Sequence, residues 1–151
     1  MKSLKDFKIG IICGGWSAER DISLKSGEAV FKCFFENGYK PKLIDLVSKD
    51  MATVEKTYEE IDLAFILVHG RGGEDGYLQN YLDEINVIYT GSNAISSKLG
   101  MNKIATKKTW QKLNICTPDF IELNENNIED ILNLSEKVVI KPASEGSSFV
   151  I

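Results

Sequence analysis

Eight residues, His69-Gly70-Arg71-Gly72-Gly73-Glu74-Asp75-Gly76, follow without a break on the apolar run Ala64-Phe65-Ile66-Leu67-Val68, and this junction restricts the folds open to the chain. An unbroken apolar run of that length reads as a strand covered on both faces, a property of parallel sheets flanked by helices. The four glycines in the eight positions permit positive φ and let backbone N–H groups approach a ligand. His69, Arg71, Glu74 and Asp75 add charge and proton-transfer capacity. In an open parallel sheet, ligands bind just outside the carboxyl ends of the strands, where this loop starts. The competing reading is a glycine-rich connection whose charges are simply solvated.

The rest of the sequence supplies the partners such a strand needs. Phe7 to Cys13 reads as a first buried strand ending at Gly14-Gly15, and a helix follows with Ile22, Ala29, Val30, Cys33 and Phe34 expected on its buried face and Gly38 as its stop. Lys42 to Val47 and Ile61 to Val68 are the next strands, giving the strand-helix-strand rhythm of right-handed parallel crossovers. Leu78, Tyr81, Leu82 and Ile85 fall at i, i+3, i+4 and i+7 of a short amphipathic helix. Val87 to Thr90 is a fourth strand. Asn93 starts a helix to Leu99 that Gly100 should break, and Asn102 opens another to Leu113. Beyond Pro118 the pattern shifts to extended Phe120-Ile121, a helix over 127–134 and a strand over 137–141. The expected organisation is an α/β domain over 1–117, with an open, mostly parallel sheet flanked by helices, followed over 118–151 by the incomplete start of a second domain.

A net charge of −4 offers no Lys/Arg stripe for a nucleic-acid backbone, and Lys107-Lys108 reads as a solvated helix face. Cys13, Cys33 and Cys116 are odd in number and widely spaced, so neither a disulfide framework nor a metal site is indicated. The charged N-terminus lacks the apolar core of an export signal, and no apolar run reaches the ~18 residues of a membrane span. These features predict a cytoplasmic protein that binds neither nucleic acid nor membrane.

Three further stretches carry chemistry. Gly14-Gly15-Trp16-Ser17-Ala18-Glu19-Arg20 joins the first strand to its helix, where backbone N–H groups and a helix N-terminus face a ligand. Its spacing is not the dinucleotide pattern G-x-G-x-x-G. Glu19 would repel a phosphate and attract an ammonium group there, or merely complement the helix dipole. Lys141-Pro142-Ala143-Ser144-Glu145-Gly146-Ser147-Ser148 pairs a cation with a loop of small residues able to fold over phosphate oxygens, or to act as a plain linker. Lys103 taken alone is an ordinary helical lysine, and His69 could equally be a satisfied residue at a strand end.

Taken in order, these pieces closely resemble the D-alanine–D-alanine ligases of the ATP-grasp superfamily. The resemblance rests on residues 14–24, 69–76, 89–92, 101–103 and 141–148. It implies a Rossmann-like pre-ATP-grasp domain followed by the start of an ATP-grasp domain, in a homodimeric enzyme that joins two D-alanines for peptidoglycan with ATP and magnesium or manganese. Position by position, it implies that Glu19 holds the ammonium of the first D-alanine and that His69 lies near its carboxylate. Lys103 and Lys141 would grip the ATP phosphates. Gly146, Ser147 and Ser148 would form the loop closing over them, with Ser147 also reaching towards Glu19 as its catalytic partner. The sequence departs from the family at Phe149-Val150, where a glycine usually follows the serine pair. The family's metal ligands, most of its adenine pocket and the residues that choose D-alanine or D-lactate as second substrate fall beyond Ile151, so the 151 residues alone are expected to be inactive. Three other readings stay open: a D-alanine–D-lactate ligase, a nicotinamide-binding fold using Asp45 for a ribose, and a non-catalytic binding or dimerisation module.

Overall fold

The computed structural model describes residues 3–50, 55–58, 60–134 and 137–145. Its centre is β1 (Ile9–Gly14), buried at every position. β2 (Lys42–Leu46) pairs in parallel on one side of β1, and β3 (Leu63–Ile66) does so on the other. β4 (Ile88–Tyr89) adds to β3, so the four strands run β2-β1-β3-β4, all parallel. Ile11 and Ile12 are wholly inaccessible, each contributing about 1.5–3 kcal/mol of burial relative to exposure. The chain leaves β1 towards β2 and returns on β1's other flank with β3, which makes the gap between β1 and β3 the point where the winding reverses.

Helix α1 (Arg20–Glu36) covers the sheet and stops as expected, with Gly38 at φ 79° and Tyr39 N–H donating to the Phe34 carbonyl. Its buried face differs from expectation in part. Ser23 and Gly27 face the sheet, whereas Ile22 is 58% exposed and Ala29 and Cys33 are also exposed. The cause is close approach: a Cβ on Gly27 would stand 2.6 Å from both Cβ and Sγ of Cys13, so only small side chains fit at that crossing, whereas the expected Phe34 does pack, half-buried, against Phe65 of β3 at 5.7 Å.

A short helical turn α2 (Glu55–Tyr58) brings Tyr58 into the core, edge-on to Tyr81 of α3 (Tyr77–Glu84) at 5.6 Å. α3 buries Leu78, Gln79 and Leu82. α4 (Ala94–Met101) is capped by Asn93, whose side chain accepts from Ser96 N–H, and it runs straight through Gly100, which costs a helix only about 1 kcal/mol. Asn102 then caps α5 (Lys103–Lys112) in the same way. Residues 127–134 split into a 3-10 turn (Ile128–Asp130) and α6 (Ile131–Leu134). Residues 137–141, expected as a strand, form none among the described residues, nor do Phe120-Ile121, since a strand exists only through a ladder partner.

Candidate functional site

Two loops leave the carboxyl ends of β1 and β3 and meet. In the first, Gly15 N–H donates to the Leu46 carbonyl at 2.7 Å, and Arg20 ties the turn down by reaching the Gly15 carbonyl at 3.1 Å. The Arg20 guanidinium forms a two-pronged pair with Asp45, at 2.8 and 2.7 Å, which holds it still more firmly in the charged form. Both Asp45 oxygens thus accept from Arg20 across the end of β2.

Glu19 occupies the N-cap position of α1, yet its side chain caps nothing. Its backbone N–H donates to Ser17 Oγ at 3.2 Å, and its Oε2 lies 2.7 Å from where a Cβ on Gly70 would stand. The carboxylate thus lies against the second loop. Ser17 Oγ closes the junction by donating to the His69 carbonyl at 2.8 Å. His69 Nε2 lies 3.4 Å from Ser26 Oγ, whose own proton goes to the Ile22 carbonyl at 2.9 Å. With its hydrogen so placed, Ser26 Oγ is free to accept from Nε2 when that nitrogen carries a proton. Nδ1 faces Glu74 at 3.7 Å, a contact that becomes an ion pair when the ring is charged.

The second loop uses its glycines partly for its own packing. A Cβ on Gly72 would lie 2.6 Å from the Trp16 ring, so the indole of the first loop rests on the bare backbone of the second, with Tyr77 edge-on at 5.4 Å. The Gly73 and Glu74 N–H groups turn inward onto the Gly70 carbonyl, and the buried Gln79 donates to the Gly73 carbonyl at 2.6 Å. Asp75 receives the Tyr77 N–H at 3.1 Å and starts α3, while Arg71 is exposed.

Sequence pattern alone does not single out Ser23. It is fully buried, and its Oγ accepts from Gly14 N–H at 2.8 Å while donating to the Leu67 carbonyl at 2.6 Å. The available signal is a hydroxyl one helical turn after Glu19, at a position that small-residue packing brings between two strands.

Lys103 and Lys141 come together elsewhere. Lys103 N–H donates to the Ala143 carbonyl at 2.8 Å and its Nζ to the Glu145 carbonyl at 2.6 Å, which joins the start of α5 to the loop after Lys141. Both lysines line a cleft of about 790 Å³ with Lys107, Phe120, Ile121 and Lys137. Lys107 is not the solvated residue expected: its Nζ donates to Thr117 Oγ1 at 2.7 Å and to the Pro118 carbonyl at 2.6 Å, and sits 5.1 Å from the Phe120 ring centre. Glu19 and His69 therefore share one place, and Lys103 and Lys141 another. Gly146, Ser147 and Ser148 lie outside the described residues. No cluster of three or more His, Cys, Asp or Glu able to hold a metal is present among the described residues, and no helix there is long and apolar enough to cross a membrane.

Residues 46–92 match the family described as D-ala D-ala ligase N-terminus. A D-alanine–D-alanine ligase of Carboxydothermus hydrogenoformans is 42% identical over 93% of this chain and 47% of its own length. That of Geotalea uraniireducens is 43% identical over 96% of this chain and 47% of its own length. Among solved structures, the Bacillus anthracis ligase complexed with ATP superposes with a TM-score of 0.82 at 34% identity, covering 92% of this chain and 48% of that one. The Helicobacter pylori ligase does so with a TM-score of 0.69 at 26% identity, covering 93% and 54%. The chain spans about half the length of the curated relatives it matches.

Proposed function

Given that this chain matches the N-terminal part of the D-alanine–D-alanine ligases, we propose that it supplies the first-substrate site and part of the phosphate site of an enzyme forming D-alanyl-D-alanine for peptidoglycan. The observation carrying this reading is the junction of the two loops, where a carboxylate that makes no side-chain hydrogen bond among the described residues and an imidazole lie on either side of the β1–β3 gap. A free amino acid presents an ammonium and a carboxylate. Glu19 suits the first and His69 the second, and the chemistry then needs the carboxylate activated by a phosphoryl group and attacked by a second amine.

The contribution of this chain is positioning and charge. Glu19 fixes the ammonium of the first D-alanine, and His69 orients its carboxylate. Lys103 and Lys141 neutralise ATP phosphate oxygens as point charges within the cleft. Gly146, Ser147 and Ser148, outside the described residues, would act on the same phosphates, with Ser147 in a catalytic role towards Glu19. Magnesium, or manganese, would supply neutralisation of phosphoryl charge when bound. The described residues offer no ligand cluster that fits such an ion, so no step is assigned to it. A division near Pro118, cytoplasmic location and a homodimer complete the reading.

Calorimetric titration tests it directly. D-alanine should bind with the heat of an ion pair, and binding should weaken with added salt and vanish in Glu19→Ala. ATP should bind a chain carrying Lys141 and lose affinity in Lys141→Ala, while D-alanine binding stays unchanged. Equal losses of both ligands in Lys141→Ala would refute the separate assignments.

A further inference from the structure

We propose that Ser23 is a positioning residue whose hydroxyl stands in for one rung of the β1–β3 ladder, and thereby sets the width of the gap between the loops carrying Glu19 and His69. The ligand of that gap rests on the first-substrate reading, and the wedge itself on backbone geometry.

The ladder itself shows the substitution. Ile12 faces Ile66 across β1 and β3, and Leu67 N–H donates to the Ile12 carbonyl at 2.8 Å. In a parallel ladder the next bond from β1 belongs two residues on, from Gly14 N–H to the Leu67 carbonyl. Both of those groups are turned to Ser23 instead: Gly14 N–H donates to Oγ at 2.8 Å, and Oγ–H donates to the Leu67 carbonyl at 2.6 Å. Two bonds in series occupy the place of one. The strands therefore diverge a single rung before their loops begin, at the reversal of winding where a parallel sheet offers its ligand crevice.

The wedge can sit there because α1 approaches so closely. Gly27, one turn further on, is the second small residue against β1, and Ser23 has no exposed surface. Above the wedge, the loops touch again through Ser17 Oγ and the His69 carbonyl at 2.8 Å. The gap is thus bounded by one hydroxyl at its floor and another at its rim.

The test compares the chain with Ser23→Ala and Ser23→Cys by crystallography and by calorimetric titration with D-alanine. In Ser23→Ala the strand ends should close, with Gly14 N–H donating directly to the Leu67 carbonyl at about 2.9 Å. D-alanine affinity should fall at least tenfold while the melting temperature moves by only a few degrees. Ser23→Cys keeps an atom in the gap and should retain the separation and most of the affinity. Strand ends that stay apart in Ser23→Ala, or affinity that survives their closure, would overturn the proposal. Should the unaltered chain show no affinity for D-alanine, the substrate reading fails, and the Gly14–Leu67 separation in Ser23→Ala still decides whether the hydroxyl is the wedge. Should Ser23→Ala fail to fold, Ser23→Cys and Ser23→Gly decide by the same two measurements.

Discussion

Replacing Glu19 by Gln keeps the shape of the side chain, exchanges one acceptor oxygen for a donor amide and removes the charge. The carboxylate lies against Gly70 and makes no capping bond, so the fold asks little of it. A helix-dipole contribution sets the ceiling on lost stability, at about 1 kcal/mol, which for a chain of this size corresponds to roughly 2–4 °C. Binding asks more. A hydrogen bond between charged partners contributes about 1.5–3 kcal/mol, so D-alanine affinity should drop about ten- to hundred-fold. The two quantities are read on the same sample, by calorimetric titration with D-alanine and by thermal unfolding. Added salt should narrow the difference between the two proteins, because the lost interaction is partly screened. Unchanged affinity combined with a melting temperature lowered by well over 4 °C would make Glu19 a structural residue and end its assignment to substrate.

Other consequences can be measured without ligand. Burial, followed by the neighbouring Asp45, pushes the Cys13 thiol above its ordinary value of 9.0, so at pH 8 mass spectrometry after iodoacetamide should show rapid alkylation of the exposed Cys33 and Cys116 and protection of Cys13. The same shift favours the neutral thiol in the folded chain. Its stabilising contribution is fully present below pH 9.0 and is lost as pH rises beyond that, through the higher value of the folded chain, so stability to urea should fall more steeply above pH 9.0 for the unaltered chain than for Cys13→Ala. Gly27→Ala should destabilise by about 1–3 kcal/mol despite alanine's helix propensity, because the new methyl meets Cys13; a neutral or stabilising result in urea melts would show that α1 can move away. Lys103→Ala should free the Glu145 carbonyl and quicken amide exchange around residues 143–145, leaving β1 unaffected.

The strands were legible because their apolar runs are nearly continuous, as in Ile9, Ile11 and Ile12, and the loops because glycine clusters at strand ends have few other uses. The buried face of α1 was legible only in part, at Val30 and Phe34. A hydrophobic pattern assigns the core side to the largest apolar residues, which points to Ile22 and Cys33 where Ser23 and Gly27 make the contact. Close packing selects for small volume, which a polarity pattern reads as solvent exposure. Gly100 misleads for a related reason, since helix propensity is a small bias that neighbouring turns override. Within the site, Glu19 and His69 could be named from their loops, but Ser17 and Ser23 act through bonds to distant backbone carbonyls, and nothing in their local sequence points to His69 or Leu67.

The seat of Trp16 on Gly72 has an optical consequence. The chain contains two tryptophans, and the other, Trp110, is 41% exposed on α5. With Trp110 changed to phenylalanine, emission comes from Trp16 alone, an indole pressed between the loops with Tyr77 at its edge and the Lys49 ammonium 5.9 Å from its ring centre. Any separation of the loops would wet that ring and shift its emission to longer wavelength, so the chain carries its own fluorescent gauge of loop spacing, readable on the millisecond timescale of stopped-flow mixing.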